Sequence, residues 1–147
     1  MVVAAVFVGL AGAVGAVLFR LMIRLVQGFA FEGTEGVAAV FEEGIAAETH
    51  DPLEAARQLA WSWRIAIPAA GGLIVGPLIY FYAREARGHG IPEVMKAVAV
   101  RGGVIRARIV GVKALASALS IGTGGSVGRE GPIVQIGSAF GSTIGQK

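Results

Sequence analysis

The residues with the most chemical potential lie in one stretch, Gly122 to Pro132, GTGGSVGREGP. Five glycines and an Arg129-Glu130 pair precede Pro132, and an uncharged run from Gly131 to Gln146 follows. Glycine lets backbone amides come close to a ligand. Proline suits the first turn of a helix, where its missing N–H would have had no partner. The pattern describes free amides opening onto a helix N-terminus, a place where an anion is stabilised. Glu130 puts a carboxylate where that anion would sit, and a charge within membrane-spanning sequence is a functional candidate.

A second stretch repeats the logic. Gly88-His89-Gly90-Ile91-Pro92-Glu93 has two glycines and then a proline before an apolar segment that runs to Val100. Glu93 in a first turn suits the helix dipole. His89 has an N–H to offer an anion, against the plainer reading of a tolerated turn residue.

The elements that carry these loops read as membrane-spanning. The 147-residue chain is 54% hydrophobic and 16% charged, with mean hydropathy +0.69 and 23 glycines. That glycine share is roughly double the usual ~7%. Such a composition fits close helix contacts in a bilayer better than a soluble domain. Residues 1–19 are uncharged, so the pattern predicts a spanning helix over 2–27, about 28 Å long over its uncharged part. A second is expected over 61–86, with Trp61 and Trp63 at one end, Tyr80 and Tyr82 at the other, and Pro77 as a kink. Gly72 and Gly76 form a GxxxG pair suited to tight helix contact. Shorter half-helices are expected over 91–100, 109–121 and 131–146. Short, Gly/Pro-interrupted apolar segments of this kind are the mark of a transport site near the bilayer midplane.

Charge divides the rest. Between the two spans, the acidic loop 28–60 carries Glu32, Glu35, Glu42, Glu43, Glu48, Asp51 and Glu54 against Arg57. It reads as a solvated loop, with a short helix near 52–59 and no metal-ligand spacing. Residues 84–113 are basic, which places 84–108 on the cytoplasmic side and the acidic loop outside. They lack the interleaved aromatics of a nucleic-acid surface, so no nucleic-acid partner is expected. The chain has no cysteine.

With both loops in view, the chain resembles the CLC family of chloride channels and chloride/proton antiporters. Residues 88–93 are similar to that family's GSGIPE signature, and Gly128-Arg129-Glu130-Gly131-Pro132 to its GREGP signature. The flanking Arg108-Ile-Val-Gly-Val-Lys113 and Ile133-Val-Gln-Ile-Gly137 agree in order and spacing. The resemblance implies an all-α membrane fold, a CLC-type bundle of tilted and broken helices, of which residues 1–147 would form the N-terminal part. It also implies homodimers in the complete protein, each subunit with its own pore in the lipid bilayer. By position, Glu130 would be the gate. Gly128, Arg129, Gly131 and Pro132, with Gly88, His89, Gly90, Ile91 and Pro92, would line the anion path, and Lys113 would give electrostatic support. The family's serine is His89 here, which exchanges a neutral hydroxyl for a bulkier imidazole and bears on anion preference and pH response.

The expected activity is chloride transport through a voltage-gated channel or a chloride/proton antiporter in a bacterial or archaeal plasma membrane. The expected partners are chloride and protons, with no metal, no cofactor and no enzymatic activity. The competing readings are a nucleotide- or phosphate-binding enzyme segment, a membrane scaffold, and a transporter of another anion such as fluoride or nitrate. The Gly-rich stretch lacks the GK[ST] ending of a P-loop, which weighs against the first.

Overall fold

The structure, a computed structural model, describes residues 2–43, 52–82, 90–100, 102–105 and 107–145. Among the described residues every regular element is helical. α1 (Val2–Gln27) runs directly into a π-helical turn, Gly28–Glu32, and α2 (Thr34–Glu43) folds back across that turn. The crossing is tight: a Cβ on Gly28 would lie 2.8 Å from the carbonyl carbon of Gly36. Only glycine fits such a backbone approach. α3 (Pro52–Gln58) starts on a proline and has Glu54 in its first turn and Arg57 in its last, a polarity that suits its dipole.

The stretch expected to be a solvated loop is therefore largely helical where it is described. Its acidic residues are compatible with helix as well as loop. The Gly28/Gly36 crossing that folds it depends on tertiary proximity, which charge patterning does not report.

α4 (Trp61–Tyr82) continues unbroken past Pro68 and Pro77. The side chain of Arg64 reaches back to α3, donating from Nε to Leu59 O at 3.0 Å and from Nη2 to Arg57 O. It thereby caps carbonyls that the end of α3 leaves open. α5 (Gly90–Val100), α6 (Ala107–Gly122) and α7 (Glu130–Gly145) complete the chain. After α5 the Gly103 N–H returns to Ala97 O at 2.9 Å, and the Ile105 N–H donates to Ser142 Oγ at 3.0 Å, which ties this connection to α7.

The core lies where α1, α6 and α7 meet. It consists of Phe19 and Ile23 from α1, Val110, Ala118 and Ile121 from α6, and Ile136 and Ala139 from α7. Alanines and glycines at these contacts let the helices approach closely. A Cβ on Gly15 would lie 2.6 Å from Ile136 Cγ2, and one on Gly122 2.6 Å from Val26 Cβ. α4 docks on α6. The close contact comes from Gly71, which lies against Thr123, whereas Gly72 and Gly76 of the GxxxG pair meet nothing within 4 Å in this chain.

Two helical stretches, Ala5–Glu32 and Trp61–Tyr82, are long and apolar enough to cross a membrane, and only 17% and 6% of their most apolar windows are buried here. A core helix of a soluble domain would be mostly buried. These helices instead turn Phe7, Leu10, Val14, Leu73, Ile74 and Phe81 outward.

Candidate functional site: the Gly-rich stretch between α6 and α7

The structure divides Gly122–Pro132 into two parts with different work. The first part ends α6. The Thr123 N–H donates to Leu119 O at 3.0 Å, the Gly124 N–H to Ile121 O at 3.1 Å, and the Gly125 N–H to Ser120 O at 2.8 Å. With Gly124 at φ +90°, this is a Schellman cap, and Gly124 is the left-handed residue it requires. The Thr123 hydroxyl donates to Leu119 O at 2.8 Å, with Ser120 O at 3.2 Å. The expectation of free loop amides is thus narrowed to the part of the stretch that enters α7. The amides of residues 123–125 are spent on the carbonyls of α6, because a helix that ends inside the protein must satisfy them.

The second part, Ser126 to Gly131, leads into α7. The Val127 N–H turns back to Gly125 O at 2.8 Å. α7 begins at Glu130, and the Ile133 N–H closes its first turn on Arg129 O at 3.4 Å. The amides of Glu130 and Gly131 fall in the first turn of a helix, where no intrahelical acceptor exists. Pro132 sits in the same turn and is buried, so it brings no further N–H needing a partner. Gly128, Arg129 and Glu130 are exposed, and a Cβ on Gly128 would meet nothing within 4 Å. The front of α7 therefore presents an open backbone with a carboxylate on its first residue.

The remaining predicted residues that the structure describes lie on α6 and α5, both of which pack against α7. Lys113 is half-buried, midway along α6. Gly90 and Ile91 open α5, with Pro92 exposed in its first turn, and α5 packs against α7. The two Gly/Pro sequences thus begin two helices that touch. Gly88 and His89 lie outside the described residues.

Some neighbours that shape this site carry no motif of their own. Gly124 lies between Phe31 of the π-helical turn and Pro68 of α4, at 3.6 and 3.8 Å from the position of a Cβ. The π-helical turn and α4 thus both brace the loop. Gln135, 2% exposed, is the one buried polar side chain among the described residues. It lies on the face of α7 that also buries Pro132, Ile136 and Ala139. A polar residue in that apolar run is the only trace of it in the sequence.

Comparison with known proteins decides the family. The family model described as voltage gated chloride channel matches residues 71–147, more than half of the chain. This chain belongs to the voltage-gated chloride channel (CLC) family. A CLC relative from Ralstonia nicotianae, named "Putative chloride channel protein ClcB-like", is 32% identical over 146 residues, 99% of this chain and 30% of that protein. A voltage-gated ClC-type chloride channel, ClcB, from Yersinia pseudotuberculosis is 35% identical over 67% of this chain and 25% of its own length. An H(+)/Cl(-) exchange transporter, ClcA, from Vibrio vulnificus is 37% identical over 57% of this chain and 18% of its own. The chain thus spans less than a third of these CLC relatives. No solved structure matches it. The all-helical architecture and the two long apolar helices are those of a CLC membrane fragment.

Proposed function

We propose that this chain supplies the first part of a CLC-type anion path, through which chloride crosses a bacterial plasma membrane. The observation that carries the reading is Glu130, exposed on the first residue of α7 behind an open glycine backbone. Chloride is bound weakly enough to leave when it meets partial positive charge at a helix end rather than a buried full cation. A carboxylate at the same helix end occupies the place of the anion. In this account ionised Glu130 closes the path, and protonation or displacement by chloride opens it. A charged residue within membrane-spanning sequence is costly to keep, which favours a functional role over a cap paired with Arg129.

Gly128, Arg129, Gly131 and Pro132 shape the anion site at α7. Residues 88–92 contribute from the start of α5, and Lys113 raises the local potential. The complete protein works as a homodimer, as a channel or as a chloride/proton exchanger. The relatives include proteins named for each activity. The test is chloride efflux from liposomes containing the complete protein, with proton movement recorded under an imposed chloride gradient. Chloride efflux is expected. Coupled proton uptake assigns exchange, and efflux without it assigns a channel. Liposomes that release no chloride above the protein-free level would end the reading.

A further inference from the structure

An anion path that begins at α7 has an electrostatic problem in α6. That helix ends at Gly122, and its C-terminal carbonyls carry partial negative charge. From Gly125 to Glu130 the chain reaches at most about 18 Å even when fully extended. Open carbonyls at the end of α6 would therefore oppose an anion bound at the front of α7.

The structure closes them. Leu119 O, Ser120 O and Ile121 O each accept a backbone N–H, from Thr123, Gly125 and Gly124 respectively. Leu119 O then takes a second donor, the Thr123 hydroxyl, at 2.8 Å, and that hydroxyl also lies 3.2 Å from Ser120 O. Ser138 and Thr143 make the same hydroxyl bond to the carbonyl four residues back within α7; what sets Thr123 apart is that its hydroxyl falls on the carbonyls that end α6. Packing holds the side chain in this orientation. It lies in the space left by the missing side chain of Gly71, where a Cβ would fall closest to Thr123 Oγ1, 2.7 Å from Thr123 Cβ and 2.9 Å from Thr123 Cγ2. α4 thus presses the Thr123 side chain onto the end of α6.

We infer that Thr123 is a positioning residue for the anion path. Its hydroxyl screens the negative end of α6, and packing against Gly71 holds the hydroxyl there. This rests on the anion reading of the α7 N-terminus and adds a residue outside both Gly/Pro signatures. Two substitutions separate its parts. Thr123→Val keeps the shape against Gly71 and removes the donor. Thr123→Ser keeps the donor and removes the methyl group.

The experiment measures the chloride concentration at half-maximal efflux for the complete protein in liposomes. Thr123→Val is expected to raise it about two- to fivefold, the range for charge at a helix end. Thr123→Ser is expected to stay within about twofold of wild type, a rescue that a purely structural role would not give. Unchanged half-saturation in Thr123→Val, or equal impairment of both variants, overturns the inference. Wild-type liposomes without chloride efflux defeat the transport reading and this inference with it. Hydrogen exchange on the wild type gives an independent check should Thr123→Val fail to fold. The Gly124 and Gly125 amides are expected to be protected, and exchange at the rate of an open loop overturns the inference.

Discussion

Thr123 fills the space that a side chain at residue 71 would need. A Cβ on Gly71 would come within 2.7 Å of Thr123 Cβ, so α4 meets the end of α6 through a glycine that leaves room for the threonine. This contact joins one spanning helix to the loop that precedes Glu130. It makes Gly71, rather than either member of the GxxxG pair, the glycine on which α4 packing in this chain depends.

Gly71→Ala is expected to lower the stability of the complete protein by about 1–3 kcal/mol, the usual cost of overpacking. Gly72→Ala one position on meets nothing within 4 Å and is expected to be neutral or stabilising by up to about 1 kcal/mol, as for any open helical glycine. Thermal unfolding in detergent compares the two. Equal shifts would remove the special status of the Gly71–Thr123 contact.

The division of the Gly-rich stretch predicts different phenotypes for neighbouring glycines. Gly125→Ala would put a Cβ 2.6 Å from Ser120 O, and Gly124→Ala would force a side chain to φ +90°. Each is expected to cost about 1–2 kcal/mol of stability. Gly128→Ala has room for its Cβ, so it should leave the unfolding midpoint in place and act on chloride flux alone. Unfolding midpoints and efflux rates measured on the same three preparations check this split.

At the centre of the bundle, Gly15 lets Ile136 and Phe140 of α7 approach α1. Gly15→Val is expected to destabilise by about 1–3 kcal/mol through overpacking, and Ile136→Ala by about 2–4 kcal/mol through a cavity. Because the two side chains share one contact, the double variant should be less destabilised than the sum of the singles. A double-mutant cycle on unfolding midpoints measures the coupling, and strict additivity would contradict the packing described.

Much of this was legible from residue types. The absence of charge over residues 1–19 and 65–83 marked the long helices, and the Gly/Pro punctuation marked helix starts at α5 and α7. The all-α class and the family followed from the same residues. What was not legible depends on tertiary proximity. Glycine has one symbol for several roles: in this stretch Gly124 supplies a left-handed cap, Gly122 a close approach to Val26, and Gly128 an open backbone. Spacing cannot tell these apart. Within the acidic stretch the short helix near 52–59 is legible and corresponds to α3, whereas the π-helical turn and α2 are hidden for the same reason, since their crossing rests on Gly28 and Gly36 meeting in space. Thr123 belongs to no signature, and its hydroxyl bond and its contact with α4 exist only in the fold.

The central claim is that the carboxylate of Glu130 is the gate. The most direct test is chloride efflux through the complete protein carrying Glu130→Gln, measured across a range of pH. The glutamine is similar in shape but cannot ionise. The variant is expected to conduct chloride at a rate that no longer changes with pH, at the level wild type reaches when protonated. Efflux that keeps the pH dependence of wild type would contradict that claim.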